Sequence, residues 1–401
     1  MTQLRRAALV APVRTPVGRF GGAFKSLTAA DLATPVVKEV LSRSGVDPER
    51  VDEVVLGQSY ANSETPCIGR WVALDADLPL SVSGIQTDRR CGTGLQAVAT
   101  ASMMVQTGAA DVVVAGGVES MSSIEHYSTG VRWGTRAGGV THYDRLDRGR
   151  ERSQPEWRFG HISGMIETAE NVARECGISR EDADGLAAES HRRAHAAWEE
   201  GRFDDEVLSV EVPGRKGEVT TIHRDEGIRP DSTPESLARL RAVMPDGVTT
   251  AGNASQQNDA ASAMLVVAED KLDELGLEPM GYLTGWAAAG CAPATMGLGP
   301  VAAVEKLFAR TGLGFDDLDL VELNEAFACQ VLGVLSQWGW DDQDKLNVNG
   351  SGISLGHPIG ATGARMTTSA LHELRRRGGG KALVTMCIGG GQGMAAVIES
   401  A

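Results

Sequence analysis

Two cysteines and one histidine, each framed by glycines, are the residues of this chain whose types and spacing could do chemistry. Cys91 stands in DRRCGTGLQAV (88–98), His357 in GHPIGATGAR (356–365) and Cys387 in CIGGGQG (387–393). Glycine lets a backbone approach a ligand closely, so a thiol or imidazole in such a frame faces a reactant rather than a core. The combination points to covalent thiol chemistry, with a second thiol and a histidine carrying protons. Cys91 precedes a helix whose first turn holds Gly92, Thr93 and Gly94. Free N–H groups and the positive end of the helix dipole predict a lowered thiol pKa there. Cys387 follows the apolar run ALVTM (382–386). It could shuttle a proton or adjoin an oxyanion hole, or simply pack in a core. The ring of Pro358 sets the direction in which the His357 imidazole leaves the chain, and a neutral imidazole can take a thiol proton or donate to an oxyanion.

Other polar groups stand at the ends of strand-like runs. Asn324 and Glu325, in NEAFA (324–328) after LDLVEL, could hold a water or an oxyanion; a helix N-cap is the alternative use of that asparagine. AGNASQQNDAAS (251–262) offers Asn253 and Ser255 as ligand contacts in a close-approach loop, or forms a plain turn. His191 and His195 lie four apart on a helix pattern, but HRRAH lacks the glutamate of a metalloprotease. A solvated helix face is expected there, and no metal site. No GxxxxGK[ST] segment occurs, and the glycines at 389–393 lack the helix and acidic residue of a dinucleotide fingerprint.

Strand-like and helix-like runs alternate around these residues, which predicts an α/β fold. Ala7–Val13, Val51–Leu56, Asp111–Ala115, Ala263–Ala268, Leu318–Leu323 and Ala382–Met386 read as strands. Leu95–Thr107 and Thr362–Arg377 read as helices, each stopped by a glycine. Blocks 84–121 and 349–394 share one layout: glycine turn, helix, glycine stop, apolar strand, small-residue loop, Met. An internal duplication of a βαβ-rich half follows. The stretch 119–248 is charged and loop-rich, with helix patterns at Thr168–Cys176 and Arg180–Gly201, and reads as an insertion. The expected division is 1–118 with 249–272, a loop domain at 119–248, and 273–401.

The 401 residues include 49 glycines and six cysteines without regular spacing, and carry a net charge of −15. No CxxC pair occurs, so a disulfide framework or structural zinc is not expected, and a reducing cytoplasm is the simpler home. The charge argues against nucleic acid as a partner. No run of 18 apolar residues exists to enter a membrane.

Taken together these segments resemble the thiolases, the acetyl-CoA acetyltransferase and 3-ketoacyl-CoA thiolase family. The likeness runs from RTPVGRFGG (14–22) through CGTGLQAV, GGVESMS, TAENVA, TAGNAS, MGLGP, NEAFA, GHPIGATGAR and CIGGGQG. It implies two mixed five-stranded sheets in an α-β-α-β-α sandwich of duplicated halves, an inserted loop domain for CoA and oligomer contacts, and a homodimer or homotetramer. It also implies an acyltransferase of fatty-acid metabolism. Cys91 would carry the acyl group and His357 would activate it; Asn324 would hold an oxyanion water. Cys387 would move the α-carbon proton, and the N–H groups of Cys91 and Gly389 would form a second oxyanion hole. Coenzyme A and acyl-CoA would be substrates rather than bound cofactors. Arg229 would lie at the adenine and phosphate end, Ser255 at the pantetheine arm, and Met165 and Met296 along the acyl end.

The sequence departs from the family pattern at Asp88, at Gly164 and Ile166 in GMIETAEN, and at Met244 in RAVM (241–244). These departures open the question of acyl chain length. Ketoacyl synthases and non-catalytic carriers of the same fold are the competing classes. The second thiol argues against the first, and the full residue set against the second.

Overall fold

The computed structural model describes residues 4–401. Strand β1 (Ala7–Arg14) enters the core directly, and helix α1 (Ala29–Ser44) follows, started by a Thr28–Asp31 capping box and ended by Gly45. Next come β2 (Glu53–Gly57), α2 (Ile68–Asp75), β3 (Ser83–Thr87), α3 (Thr93–Thr107) and β4 (Val112–Ser120). The middle of the chain supplies α4 (Met165–Cys176) and α5 (Arg180–Glu199) before β5 (Asn258–Ala268) rejoins the sheet. The last part runs β6 (Gly281–Gly290), α6 (Gly299–Thr311), β7 (Leu320–Leu323), α7 (Ala328–Trp338), α8 (Ile359–Arg377), β8 (Lys381–Ile388) and β9 (Gln392–Ser400).

The strands lie in the order β7-β8-β9-β6-β1-β5-β4-β2-β3, with the short pair Gly18–Arg19 on β5 completing a ten-stranded sheet. This differs from the two separate five-stranded sheets expected. The halves are hydrogen-bonded into one ladder through Ala8–Tyr282 and Leu9–Gly281. The second half also lacks a counterpart of β3. In its place stands a single parallel bridge between Val321 and Leu346, after which the chain leaves the sheet on its way to α8.

Five layers result. Helices α1 and α2 cover one outer face of the first half, around Leu32, Val36, Val54 and Leu265. Helices α6 and α7 cover the outer face of the second half, around Val304, Leu307, Val331 and Leu383. Between them, α3 and α8 share one core with strands from both halves, including Leu95, Val98, Met366, Leu371, Val113 and Val384.

The inner helices touch backbone to backbone because small residues line their contact. A Cβ on Gly363 would stand 2.3 Å from the Leu95 nitrogen, and one on Gly94 would stand 2.7 Å from the Ala364 nitrogen. Gly116 and Gly117, in the small-residue loop expected after the strand Asp111–Ala115, instead lie inside β4. Cβ atoms there would meet the Ser262 carbonyl at 2.2 Å and the Gly360 carbonyl at 2.1 Å, so only glycine lets α8 and β5 approach this strand. Among the described residues no helix is long and apolar enough to cross a membrane.

Candidate active site

Strand β3 delivers Cys91 through a short turn. Arg90 adopts φ 47°, left-handed and costly for a residue with a Cβ, and the turn is braced on three sides. The Arg90 N–H donates to Asp88 Oδ1 at 2.7 Å, the Arg89 N–H donates to Thr93 Oγ1 at 2.7 Å, and the Ser59 hydroxyl donates to the Arg90 carbonyl at 3.0 Å. Cys91 is thereby held half-buried at the foot of α3. Burial pushes its thiol pKa up, while the Gly389 N–H and the Arg90 charge pull it down without reversing the shift. The lowered pKa expected from the helix start is therefore not found, because desolvation of the thiolate outweighs those donors.

Cys387 lies in β8 opposite Gly393 of β9 and is fully buried. Its pKa is raised well above the usual thiol range, first by burial and then by the thiols of Cys91 and Cys291. Gly390 and Gly391, at φ 92° and 89°, then turn the chain back into β9. This leaves the Gly389 N–H directed at Cys91 Sγ.

His357 precedes α8, with Gly356 at φ 112° before it and Pro358 as the residue that starts the helix. Its backbone N–H donates to Asn258 Oδ1 at 2.8 Å. Its Nδ1 lies 2.7 Å from Thr362 Oγ1, and that hydroxyl donates to the Pro358 carbonyl at 3.0 Å. This network assigns the ring proton to Nδ1 and leaves the Nε2 lone pair free. Burial, then the charges of Arg365 and Arg150, push the imidazole pKa down to about 3. The ring is a neutral base across ordinary pH.

Asn324 continues the β7 edge by donating its N–H to the Thr385 carbonyl, and its Nδ2 lies 3.5 Å from His357 Nδ1. Its Oδ1 is buried without a protein partner. It does not cap a helix: α7 begins at Ala328, and residues 325–327 run extended against Ala254 and Ser255. Glu325 turns away and accepts from Ser190 Oγ, Asn347 Nδ2 and the Ile353 N–H, tying the segment down.

A cavity of about 470 Å³ collects Cys91, His357 and Cys387 from three separate stretches of chain, together with Ser255, Met165 and Met296. Gly164, Ile166 and Met244, three of the positions where the sequence departs from the family pattern, line it too. Gly389 reaches the site from the other side of Cys91. Arg229 does not line the cavity. It is exposed, and its backbone N–H donates to Nδ1 of His191 at 3.2 Å. His191 is buried rather than on the solvated face expected for it, because α5 turns that side inward; burial and the Arg229 charge push its pKa down to about 4. No cluster of metal-ligating side chains is found among the described residues.

Residues 7–270 match the family described as thiolase, N-terminal domain, and residues 277–400 match thiolase, C-terminal domain. The chain belongs to the thiolase family. An acetyl-CoA acetyltransferase of Chromobacterium violaceum is 44% identical over 394 residues, covering 98% of this chain and 99% of that protein. The crystal structure of the Bacillus anthracis acetyl-CoA acetyltransferase superposes with a TM-score of 0.96 at 41% identity, over 100% of both chains. That of human mitochondrial 3-ketoacyl-CoA thiolase in complex with CoA does so with 0.92 at 39% identity, over 100% of this chain and 99% of that one. The two thiolase segments divide the site: the first contributes Cys91 and Ser255, the second Asn324, His357, Cys387 and Gly389.

Two residues of this thiolase site escaped the sequence reading. Arg150, from the short helix Arg145–Glu151, lines the cavity and lowers the pKa of both Cys91 and His357 by its charge. Tyr60 stands behind Cys91, its pKa pushed up to about 12 by burial. Neither carries a periodic or glycine signal, and DRLDRGRER (144–152) reads like any solvated charged stretch.

Proposed function

We propose that this thiolase, an acyltransferase, cleaves 3-ketoacyl-CoA with CoA and runs the reverse Claisen condensation through an acyl group on Cys91. The observation that carries the reading is the convergence of Cys91, His357 and Cys387 on one cavity. In thiolysis His357 Nε2 takes the Cys91 proton and the thiolate attacks the C3 carbonyl. The C2–C3 bond breaks, and C2 takes the proton of Cys387 to leave as acetyl-CoA. CoA then gives its thiol proton to the Cys387 thiolate and attacks the acyl-enzyme. The departing Cys91 thiolate recovers the proton held by His357. Each proton returns to its starting group, so the sequence runs equally well backwards.

Both thiols are protonated and the imidazole is neutral at rest, so the Cys91 proton passes to Nε2 only as the sulfur bonds to the carbonyl carbon. In condensation the enolate oxygen of acetyl-CoA faces His357 and a water on the unpartnered Asn324 Oδ1. The acyl oxygen on Cys91 faces the N–H groups of Cys91 and Gly389. One such donor is worth about 3–4 kcal/mol of barrier.

CoA enters past Ser255 with its acyl end at Met165 and Met296. Arg229, exposed on the loop region, meets the phosphate end despite the net charge of −15. The loop region 119–248 serves as a domain of its own that holds CoA and oligomer contacts. A homodimer or homotetramer is supported by Ile85, exposed on the edge strand β3, by Trp71 and Leu74, exposed on α2, and by Trp133, 93% exposed between the paired segments His126–Tyr127 and Tyr143–Asp144. Six unpaired cysteines, two of them needed as thiols, favour the cytoplasm. The test is a coupled assay with acetoacetyl-CoA and CoA. Acetyl-CoA should form and, supplied alone, should reverse the reaction; no turnover in either direction contradicts the reading.

A further inference from the structure

Behind Cys91 lies a second, smaller chamber of about 80 Å³. It shares Cys91, Arg150, Met165 and Ile359 with the main cavity, so the nucleophile stands in a wall common to both. An acyl group on Cys91, with CoA arriving from the main cavity, has this chamber as its second outlet. Met165 and Ile359 give its wall an apolar part, and Tyr60, Arg90 and Arg150 a polar and charged one.

A chamber built for a methyl-ended chain would not put two arginines in its wall, since apolar contact strips a guanidinium of its hydration without replacing it. Arg90 is the more telling of the two. Its guanidinium donates to Ser153 Oγ at 3.2 Å and to the Gly149 carbonyl at 3.0 Å, both neutral groups. A Cβ on Gly389 would be 3.6 Å from its Nη1, so the cation sits beside the acyl-carrying thiol. Arg150 is partly neutralised by Asp147 at 3.2 Å. The one carboxylate in the chamber wall, Asp88, has an oxygen committed to the Arg90 N–H at 2.7 Å. The wall as a whole thus carries two cations against one anion.

We propose that this chamber selects acyl groups that end in a carboxylate, held by the Arg90 guanidinium with Tyr60 and Arg150 at its sides. At roughly 30 Å³ per water-sized group, the volume fits a carboxylate and about two methylenes. The preferred thioesters are therefore short 3-ketoacyl-CoA molecules with an ω-carboxylate, cleaved to a four-carbon dicarboxylic acyl-enzyme and acetyl-CoA. The inference rests on Cys91 as the acyl carrier and adds the identity of the acyl group.

The test is thiolysis of three substrates by the full chain: acetoacetyl-CoA, the unsubstituted six-carbon 3-ketoacyl-CoA, and the six-carbon 3-ketoacyl-CoA with a terminal carboxylate. The wild-type kcat/KM for the carboxylated substrate should exceed that for the unsubstituted one by roughly 10- to 100-fold, the worth of one charge-assisted hydrogen bond. Arg90→Gln should collapse that ratio toward unity, whatever its effect on both rates together. Arg90→Lys should keep part of it, and guards against a misfolded glutamine variant. Turnover of acetoacetyl-CoA with no preference for the carboxylated chain overturns the inference and leaves the thiolase reading standing. A preference that survives Arg90→Gln unchanged also overturns it. No turnover of any of the three removes the thiolase reading itself, and the inference with it.

Discussion

The two halves of the sheet follow nearly the same path, yet they hand the site different groups. In the first, β3 is a full strand and the chain turns at once through Arg90 and Cys91 into α3. In the second, the matching strand shrinks to the bridge at Leu346, and a longer stretch wanders through Gly350 and Gly356 before α8. The short turn pins a thiol against N–H donors. The long one has room to bring in a histidine, and the second thiol comes instead from the end of β8. The thiols differ accordingly. Cys91 is half-buried and has the Gly389 N–H and Arg90 for company; Cys387 has only burial and other thiols around it. A repeated frame supplies two matched platforms that meet at Gly94 and Gly363, and the lengths of the turns on them decide which chemistry each one does.

Removing the second thiol breaks this division of labour most severely. Cys387→Ala should still form the acyl-enzyme but condense about 10²–10⁴-fold more slowly, the usual range for a lost general acid or base. Single-turnover acylation and steady-state condensation, measured side by side, show whether the two losses separate; equal loss in both would merge the roles.

Forcing the platforms apart comes next. Gly363→Ala puts a methyl where the Leu95 nitrogen lies 2.3 Å away, in backbone rather than a yielding side chain. Overpacking of that kind costs about 1–3 kcal/mol. Thermal unfolding should fall by several degrees, and turnover should fall with it because α3 follows Cys91 and α8 follows His357. A variant as stable and active as the parent would show that the contact does not set the site.

The raised pKa of Cys91 at rest, beside an imidazole held at about 3, predicts a thiol–imidazole pair rather than a thiolate–imidazolium pair. The rate of Cys91 alkylation by iodoacetamide should climb with pH through and beyond the ordinary thiol range near ~8.5. A plateau already reached near pH ~6 would reveal a preformed ion pair instead. The smallest effect belongs to the exposed periphery. Arg229→Glu should raise KM for CoA thioesters by up to roughly 10-fold, since solvent screens exposed charges, and spare short pantetheine thioesters.

What could be read from the sequence follows from what glycine does. Gly94, Gly117, Gly360 and Gly363 mark places where backbones touch, and such contacts tolerate no Cβ. The frames around Cys91, His357 and Cys387 were legible for that reason, and with them the α/β layout. The reading failed where one residue type serves two settings. Gly116 and Gly117 looked like a loop but let α8 and β5 close on β4. Asn324 suits a helix cap as well as a strand end, and only the extended run to Phe327 separates the two uses. His191 has polar neighbours in sequence yet is buried, on the inward side of α5. Arg150 and Tyr60 turn toward the site from segments whose pattern is that of any surface. The direction of the Cys91 pKa shift depends on how much water the fold removes, and sequence spacing carries no measure of that.

Every proposed step depends on Cys91, and not Cys387, taking the acyl group. Incubating the chain with acetyl-CoA, quenching in acid and mapping the adduct by peptide mass spectrometry tests this directly. The prediction is one acetyl group on the peptide containing Cys91, absent in Cys91→Ala and still present in Cys387→Ala. An acetyl group on Cys387, or an adduct that persists in Cys91→Ala, would contradict it.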